Sequence, residues 1–109
     1  MSNPRQIVLI TGANRGIGLA IAQRLAQPKY TVIITARSLE KAQTAAASIS
    51  TNTEDVVGMR LDVEDLTSIE TCAKEVEAKY GRLDILIHNA GMCIPYQVGT
   101  AHARCQLQQ

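Results

Sequence analysis

The sequence has no Phe, no Trp and only three Tyr among its 109 residues. Apolar contacts must therefore come from Ile, Val, Leu and Ala, which suit buried parallel strands that read as continuous runs. Cysteine is also sparse. Cys72, Cys93 and Cys105 are an odd number without close spacing, so they give no sign of a disulfide framework and fit a reduced, cytoplasmic chain. Neither charge sign predominates: the net charge is +1, which gives no reason to expect nucleic acid or an anionic membrane as partner. Any basic site must be local. No apolar run approaches the roughly 20 residues that span a bilayer, and Met1 to Gln6 lacks the apolar core of a signal peptide. The length suits one small domain, and a hydrophobic fraction of 46% argues against disorder.

Within those bounds the chain alternates two kinds of segment. Ile7 to Ile10 is a wholly apolar run that stops at Thr11-Gly12, a strand followed by a sharp turn. After Gly16, the four-residue step Ile17, Ile21, Leu25 draws one helical stripe, and Pro28 ends it. Tyr30 to Thr35 is dense in β-branched residues and predicts a second strand. Ser38 is placed to cap a second helix through the Ala-rich run to Ile49. Val56 to Val63 predicts a third strand, weakened by Gly58. Asp65 is placed to cap a third helix with Ile69, Ala73, Val76 and Tyr80 along one side, ended by Gly81. Leu83 to His88 predicts a fourth strand. This β-α-β-α-β-α-β order implies a Rossmann-type doubly wound parallel sheet with right-handed crossovers and helices on its faces. The expected half-domain runs over 1–91. From Met92 to Gln109 no helical or strand period continues, which predicts an irregular tail.

The chemistry concentrates in Thr11-Gly12-Ala13-Asn14-Arg15-Gly16-Ile17-Gly18, between the first strand and the first helix. A tight turn there aims free backbone N–H groups and the positive end of the helix at one point, which makes an anion site suited to a pyrophosphate. The spacing is not that of a P-loop, nor the Gly-x-Gly-x-x-Gly of other dinucleotide folds. Gly-x-x-x-Gly-x-Gly after a Thr resembles the short-chain dehydrogenase/reductase family. Leu61-Asp62-Val63 and His88-Asn89-Ala90-Gly91 fall where that family has its adenine-side Asp and its Asn-Asn-Ala-Gly, with His88 departing from the usual Asn. The resemblance covers about Gln6 to Gly91. It implies that Gly12, Gly16, Ile17 and Gly18 form the pyrophosphate edge of a cofactor-binding loop that also carries Arg15, that Asp62 lies beside adenine, and that Asn89 lines the adenosine ribose. Asp62 also suits a structural part as a strand-end residue that orders the loop after it. A strand-borne His88 packed beside its neighbours is a simpler expectation than a catalytic one.

At the end of the second strand an acid selects NAD, whereas an Arg accommodates the 2′-phosphate of NADP. Here the strand ends Thr35-Ala36-Arg37-Ser38, without an acid. With Arg37 and Arg15 both near that phosphate, the expected cofactor is NADP(H). One charge-assisted hydrogen bond of about 1.5–3 kcal/mol suffices for a tenfold preference.

The resemblance implies hydride transfer between NADP and a small carbonyl or alcohol, which the family performs with Tyr-x-x-x-Lys on a later helix. That motif is absent: Tyr30, Tyr80 and Tyr96 are followed four residues on by Ile34, Asp84 and Thr100. No catalytic residue is assigned. The expected chain is an NADP-dependent oxidoreductase by family, as a truncated or frame-shifted product; the alternatives are an evolved short form and a non-catalytic NADP-binding fragment, partner or remnant. An incomplete sheet is expected to leave an apolar face and a strand edge open, favouring homo- or hetero-oligomers. Cys93, His102 and Cys105 are too scattered to predict a metal site, and no metal is expected.

Overall fold

The computed structural model describes residues 5–52 and 55–89. Seven elements follow in order: β1 (Gln6–Ile10), α1 (Gly16–Leu25), β2 (Tyr30–Ala36), α2 (Leu39–Ile49), β3 (Val56–Arg60), α3 (Leu66–Tyr80) and β4 (Ile85–Ile87). The strands form one parallel sheet in the order β3-β2-β1-β4. Chain direction accounts for that order. Two crossovers run outward from β1 through β2 to β3, and the third returns to the far side of β1.

β2 sits inside this sheet and is buried from Thr31 to Ala36. Its β-branched side chains alternate between the two faces, so the same six residues feed two cores. On one face Val8, Ile10, Val32 and Ile34 pack with Ala22 of α1 and Ala42, Ala45 and Ala46 of α2. On the other, Ile7, Leu9, Ile33 and Met59 pack with Cys72 and Val76 of α3. Helices therefore lie on both sides of the sheet, as a doubly wound chain requires, but β4 is incompletely covered, with Leu86 60% exposed. Complete burial of a side chain such as Ile10, Ile33 or Ile34 contributes about 1.5–3 kcal/mol, and these three are among the largest fully buried ones.

The helix ends follow their local chemistry. Ser38 Oγ accepts from the amide of Lys41, and Asp65 Oδ1 accepts from that of Thr67 at 3.0 Å. Gly81 closes α3 in the left-handed conformation, with φ 75°. The entry to β4 is set by Asp84. Its Oδ2 accepts from the Ile7 amide at 2.7 Å and from Arg82 Nε at 3.0 Å, while its own amide donates to the Ile7 carbonyl at 2.9 Å. The Ile7 amide first, and then Arg82, hold this carboxyl below its ordinary range. Arg82 Nη2 also donates to the Arg5 carbonyl, and Arg5 pairs with Asp55.

Several expectations from the pattern shift. β3 stops at Arg60 instead of Val63, and β4 spans only Ile85–Ile87 within the expected Leu83 to His88. α3 is rotated by about one residue from the expected stripe: Ser68, Cys72 and Val76 are buried, whereas Ala73 is exposed. Ser68 enters the interior because its hydroxyl is used, accepting from the Asp62 amide and lying 2.9 Å from the carbonyls of Asp62 and Asp65. Cys72 beside it is 1% exposed, and burial, with a smaller push from Glu75, raises its thiol to about 11. In α1 the buried positions are Gly18 and Ala22, with Ile21 and Leu25 partly buried; Ile17 leaves the expected stripe and is 62% exposed. Gly58 does not mark a weak point. A Cβ there would meet the α2 backbone at 2.6 Å, so glycine is what lets α2 lie against β3.

Among the described residues no helix is long and apolar enough to cross a membrane. The expected tail of 92–109 lies outside the described residues.

Candidate functional site

Parallel strands bring all their C-terminal ends to one edge, and every residue singled out as a cofactor contact lies just beyond a strand at that edge. Gly12, Arg15, Gly16, Ile17 and Gly18 follow β1, Arg37 follows β2, Asp62 follows β3 and Asn89 follows β4. Between β1 and β4 the chain's direction of winding reverses, which opens the crevice where ligands of such sheets bind.

The loop after β1 is held to the tops of its two neighbours. The Thr11 amide donates to the Ile87 carbonyl at 3.0 Å and the Ala13 amide to the Thr35 carbonyl at 2.9 Å. Thr35 Oγ1 donates to the Ile10 carbonyl at 2.9 Å, tying β2 to β1 beneath the loop. Gly12 and Gly16 have φ of 62° and 64°, conformations that other residues reach only with strain. These two reversals lead into α1, whose first N–H groups have no acceptor within the helix. Its first turn carries no acidic side chain, and no side chain caps it at Arg15.

Gly12, Gly18 and Asn89 come together. Asn89 Nδ2 donates to the Gly12 carbonyl at 3.1 Å, and the Asn89 amide donates to Thr11 Oγ1 at 2.8 Å. A Cβ on Gly18 would stand 2.5 Å from Asn89 Nδ2 and 2.7 Å from the Gly12 oxygen. The third glycine of the motif thus serves close packing of helix, loop and β4, not the turn. His88 Nδ1 lies 3.2 Å from Thr11 Oγ1, so the residue that departs from the resembled motif joins the same network.

Arg15, Gly16 and Ile17 are exposed at the start of α1, and Arg37 is exposed past β2. No acidic residue occupies the end of β2. Asp62 is half-buried; its Oδ1 accepts from the Glu64 amide at 3.0 Å, which is the loop-ordering part expected of it.

Two residues of this edge were given no role of their own from the sequence. Thr11 anchors Asn89, and Arg60 donates from Nε to the Arg37 carbonyl at 3.0 Å. The signal for Arg60 was an arginine at the end of a strand adjacent to β2, and it became readable once the register paired it with Ala36. Among the described residues no group of three or more His, Cys, Asp or Glu could hold a metal ion; Cys93, His102 and Cys105 lie outside them.

Unshared helix N–H groups, a glycine turn free of acids and exposed guanidinium groups form a donor set for a phosphorylated ligand. The fold and site together define a dinucleotide-binding α/β sheet of Rossmann type.

Comparison with known proteins narrows this class. The family model described as short chain dehydrogenase matches residues 6–108, continuing past Gly91 into the stretch set apart as a tail. The chain belongs to the short-chain dehydrogenase family. It is 43% identical over 90 residues to the short-chain dehydrogenase anuI of Penicillium roqueforti, a match covering 81% of this chain and 36% of that protein. A metagenomic short-chain oxidoreductase solved in complex with NADP superposes with a TM-score of 0.70 at 36% identity, over 80% of this chain and 39% of that one. L-Sorbose reductase from Gluconobacter frateurii, complexed with NADPH and L-sorbose, superposes with a TM-score of 0.75 at 28% identity, over 88% of this chain and 37% of that one. The chain thus spans little more than a third of the length of these proteins.

Proposed function

We propose that residues 1–91 are the NADP(H)-binding half of a short-chain oxidoreductase acting on a small carbonyl or alcohol. The observation that carries the cofactor assignment is the top of β2, where the strand leads directly into an exposed arginine and no acid. Two of the similar solved proteins are complexes with NADP or NADPH, which supports the same reading.

In this assignment the amides of Gly16, Ile17 and Gly18 at the start of α1, with the Gly12 turn, hold the pyrophosphate. Arg37 and Arg15 hold the 2′-phosphate, Asp62 lies beside adenine, and Asn89 lines the ribose while bracing the Gly12 carbonyl. When bound, the nicotinamide supplies or accepts a hydride. The chain's own residues bind and orient the dinucleotide. The 109 residues contain no Tyr-x-x-x-Lys, so no proton-transfer residue is assigned among them.

The test is Arg37→Asp, with NADPH and NADH affinities measured by fluorescence titration. Losing a charge-assisted contact of about 1.5–3 kcal/mol should lower the NADPH-over-NADH ratio by tenfold or more. An unchanged ratio refutes the assignment of Arg37. Carbonyl-dependent oxidation of NADPH by the purified chain would support turnover, whereas binding without it would favour a non-catalytic NADP binder.

A further inference from the structure

We infer that Arg60 is a positioning residue for the phosphorylated cofactor: it holds the Arg37 backbone at the mouth of the adenosine pocket. The inference rests on the NADP reading of Arg37 and extends it to a residue on another strand.

Arg37 stands between two ordered elements. Ala36 is the last residue of β2, and Ser38 caps α2 and gives its carbonyl to the Ala42 amide at 3.0 Å. The Arg37 carbonyl between them belongs to neither ladder, and its partner is the guanidinium of Arg60, at 3.0 Å from Nε. The parallel register brings this about. Ala36 pairs with Arg60, and the Leu61 amide donates to the Ala36 carbonyl at 2.9 Å, so β3 is joined to β2 up to the turn.

Arg60 is itself held from the other side. Its Nη2 lies 3.5 Å from Asp65 Oδ2, and Asp65 is fixed as the cap of α3 by the Thr67 amide. The side chain thus spans from the α3 cap to the β2–α2 turn. Fixing the Arg37 carbonyl fixes the backbone from which the Arg37 side chain departs. In the proposed function that side chain holds the 2′-phosphate, a charge-assisted contact that the 2′-hydroxyl of NAD does not make. Arg60 should therefore affect the phosphorylated cofactor selectively.

The probes are adenosine 2′,5′-bisphosphate and 5′-AMP, which differ only in the 2′-phosphate, titrated calorimetrically into the intact chain. Arg60→Ala is expected to weaken bisphosphate binding about fivefold, within the range of coupled contacts, and to change 5′-AMP binding by less than about twofold. Arg60→Met, which keeps the apolar stem over the turn, should behave alike, with the melting temperature checked for both. In an Arg37→Ala background the Arg60→Ala effect should vanish, because positioning acts through Arg37. Equal weakening of both probes, no weakening of either, or an undiminished effect in that background overturns the inference while leaving Arg37's own role standing. If Arg37→Ala by itself leaves bisphosphate binding unchanged, the NADP reading fails and the inference falls with it.

Discussion

Replacing Gly58 by alanine sets a local rule against a tertiary contact, with opposite signs. A glycine inside a strand costs backbone entropy on folding, so alanine at a compatible site stabilises by about 0.4–1 kcal/mol through the unfolded chain. Gly58 is not such a site. A Cβ there would stand 2.6 Å from the carbonyl carbon and oxygen of Ala42 and from the amide nitrogen of Gln43. All three are backbone atoms of α2, so no side-chain rotation relieves the clash. β3 is joined to β2 on one side, with Gly58 paired to Ile34, and α2 is pressed on the sheet through Ala42, Ala45 and Ala46. Either α2 retreats and loosens that alanine face, or β3 bows out of register. Overpacking of this kind costs about 1–3 kcal/mol, and subtracting the entropic gain leaves a net loss of up to about 2.6 kcal/mol, centred on about 1.3 kcal/mol. For a domain this small, that corresponds to a fall in melting temperature of roughly 5–15 °C. Far-UV circular dichroism during heating reads the transition directly, since the chain has no tryptophan. An unchanged or raised melting temperature would refute the reasoning, because it would mean that α2 does not lie as close to β3 as described.

Two further outcomes follow from the hydrogen bonds. Asp84 has a folded-state pKa below its unfolded value, so its contribution is complete above the ordinary carboxylate range near pH ~4 and is lost as pH falls through the lowered value. Asp84→Asn should therefore flatten the acid side of a plot of urea midpoint against pH; curves that stay parallel to the wild type would show that the Ile7 clamp does not depend on ionisation. Ser68→Ala removes the hydroxyl that serves the Asp62 amide and the carbonyls of Asp62 and Asp65 from a 3% exposed position. Urea unfolding should register a loss of about 1–3 kcal/mol, and a neutral result would mean that water replaces the hydroxyl.

The sequence by itself determined the order of elements, the parallel sheet and the edge on which the proposed cofactor contacts gather. These follow from signals that sit within a few residues of one another: apolar runs of strand length, caps at Ser38 and Asp65, the stop at Gly81 and the glycine turn after β1. The position of Arg37 was legible for the same reason, since it depends only on where one strand ends.

What only the tertiary structure decided involves partners far apart in the chain. α3 turns Ser68 and Cys72 inward in place of Ala73 because Ser68 finds three groups in the loop after β3, which no helical period encodes. Gly58 looks like a flaw in a strand until α2 is laid across it, and Gly18 looks like part of a turn until Asn89 arrives beside it from β4. Arg60 acquires its partner only from the β2–β3 register, since its hydrogen bond closes a gap of 23 residues. Local propensity is read residue by residue, whereas close packing and shared hydrogen bonds exist only between segments. That difference separates what was legible at this site from what had to be seen folded.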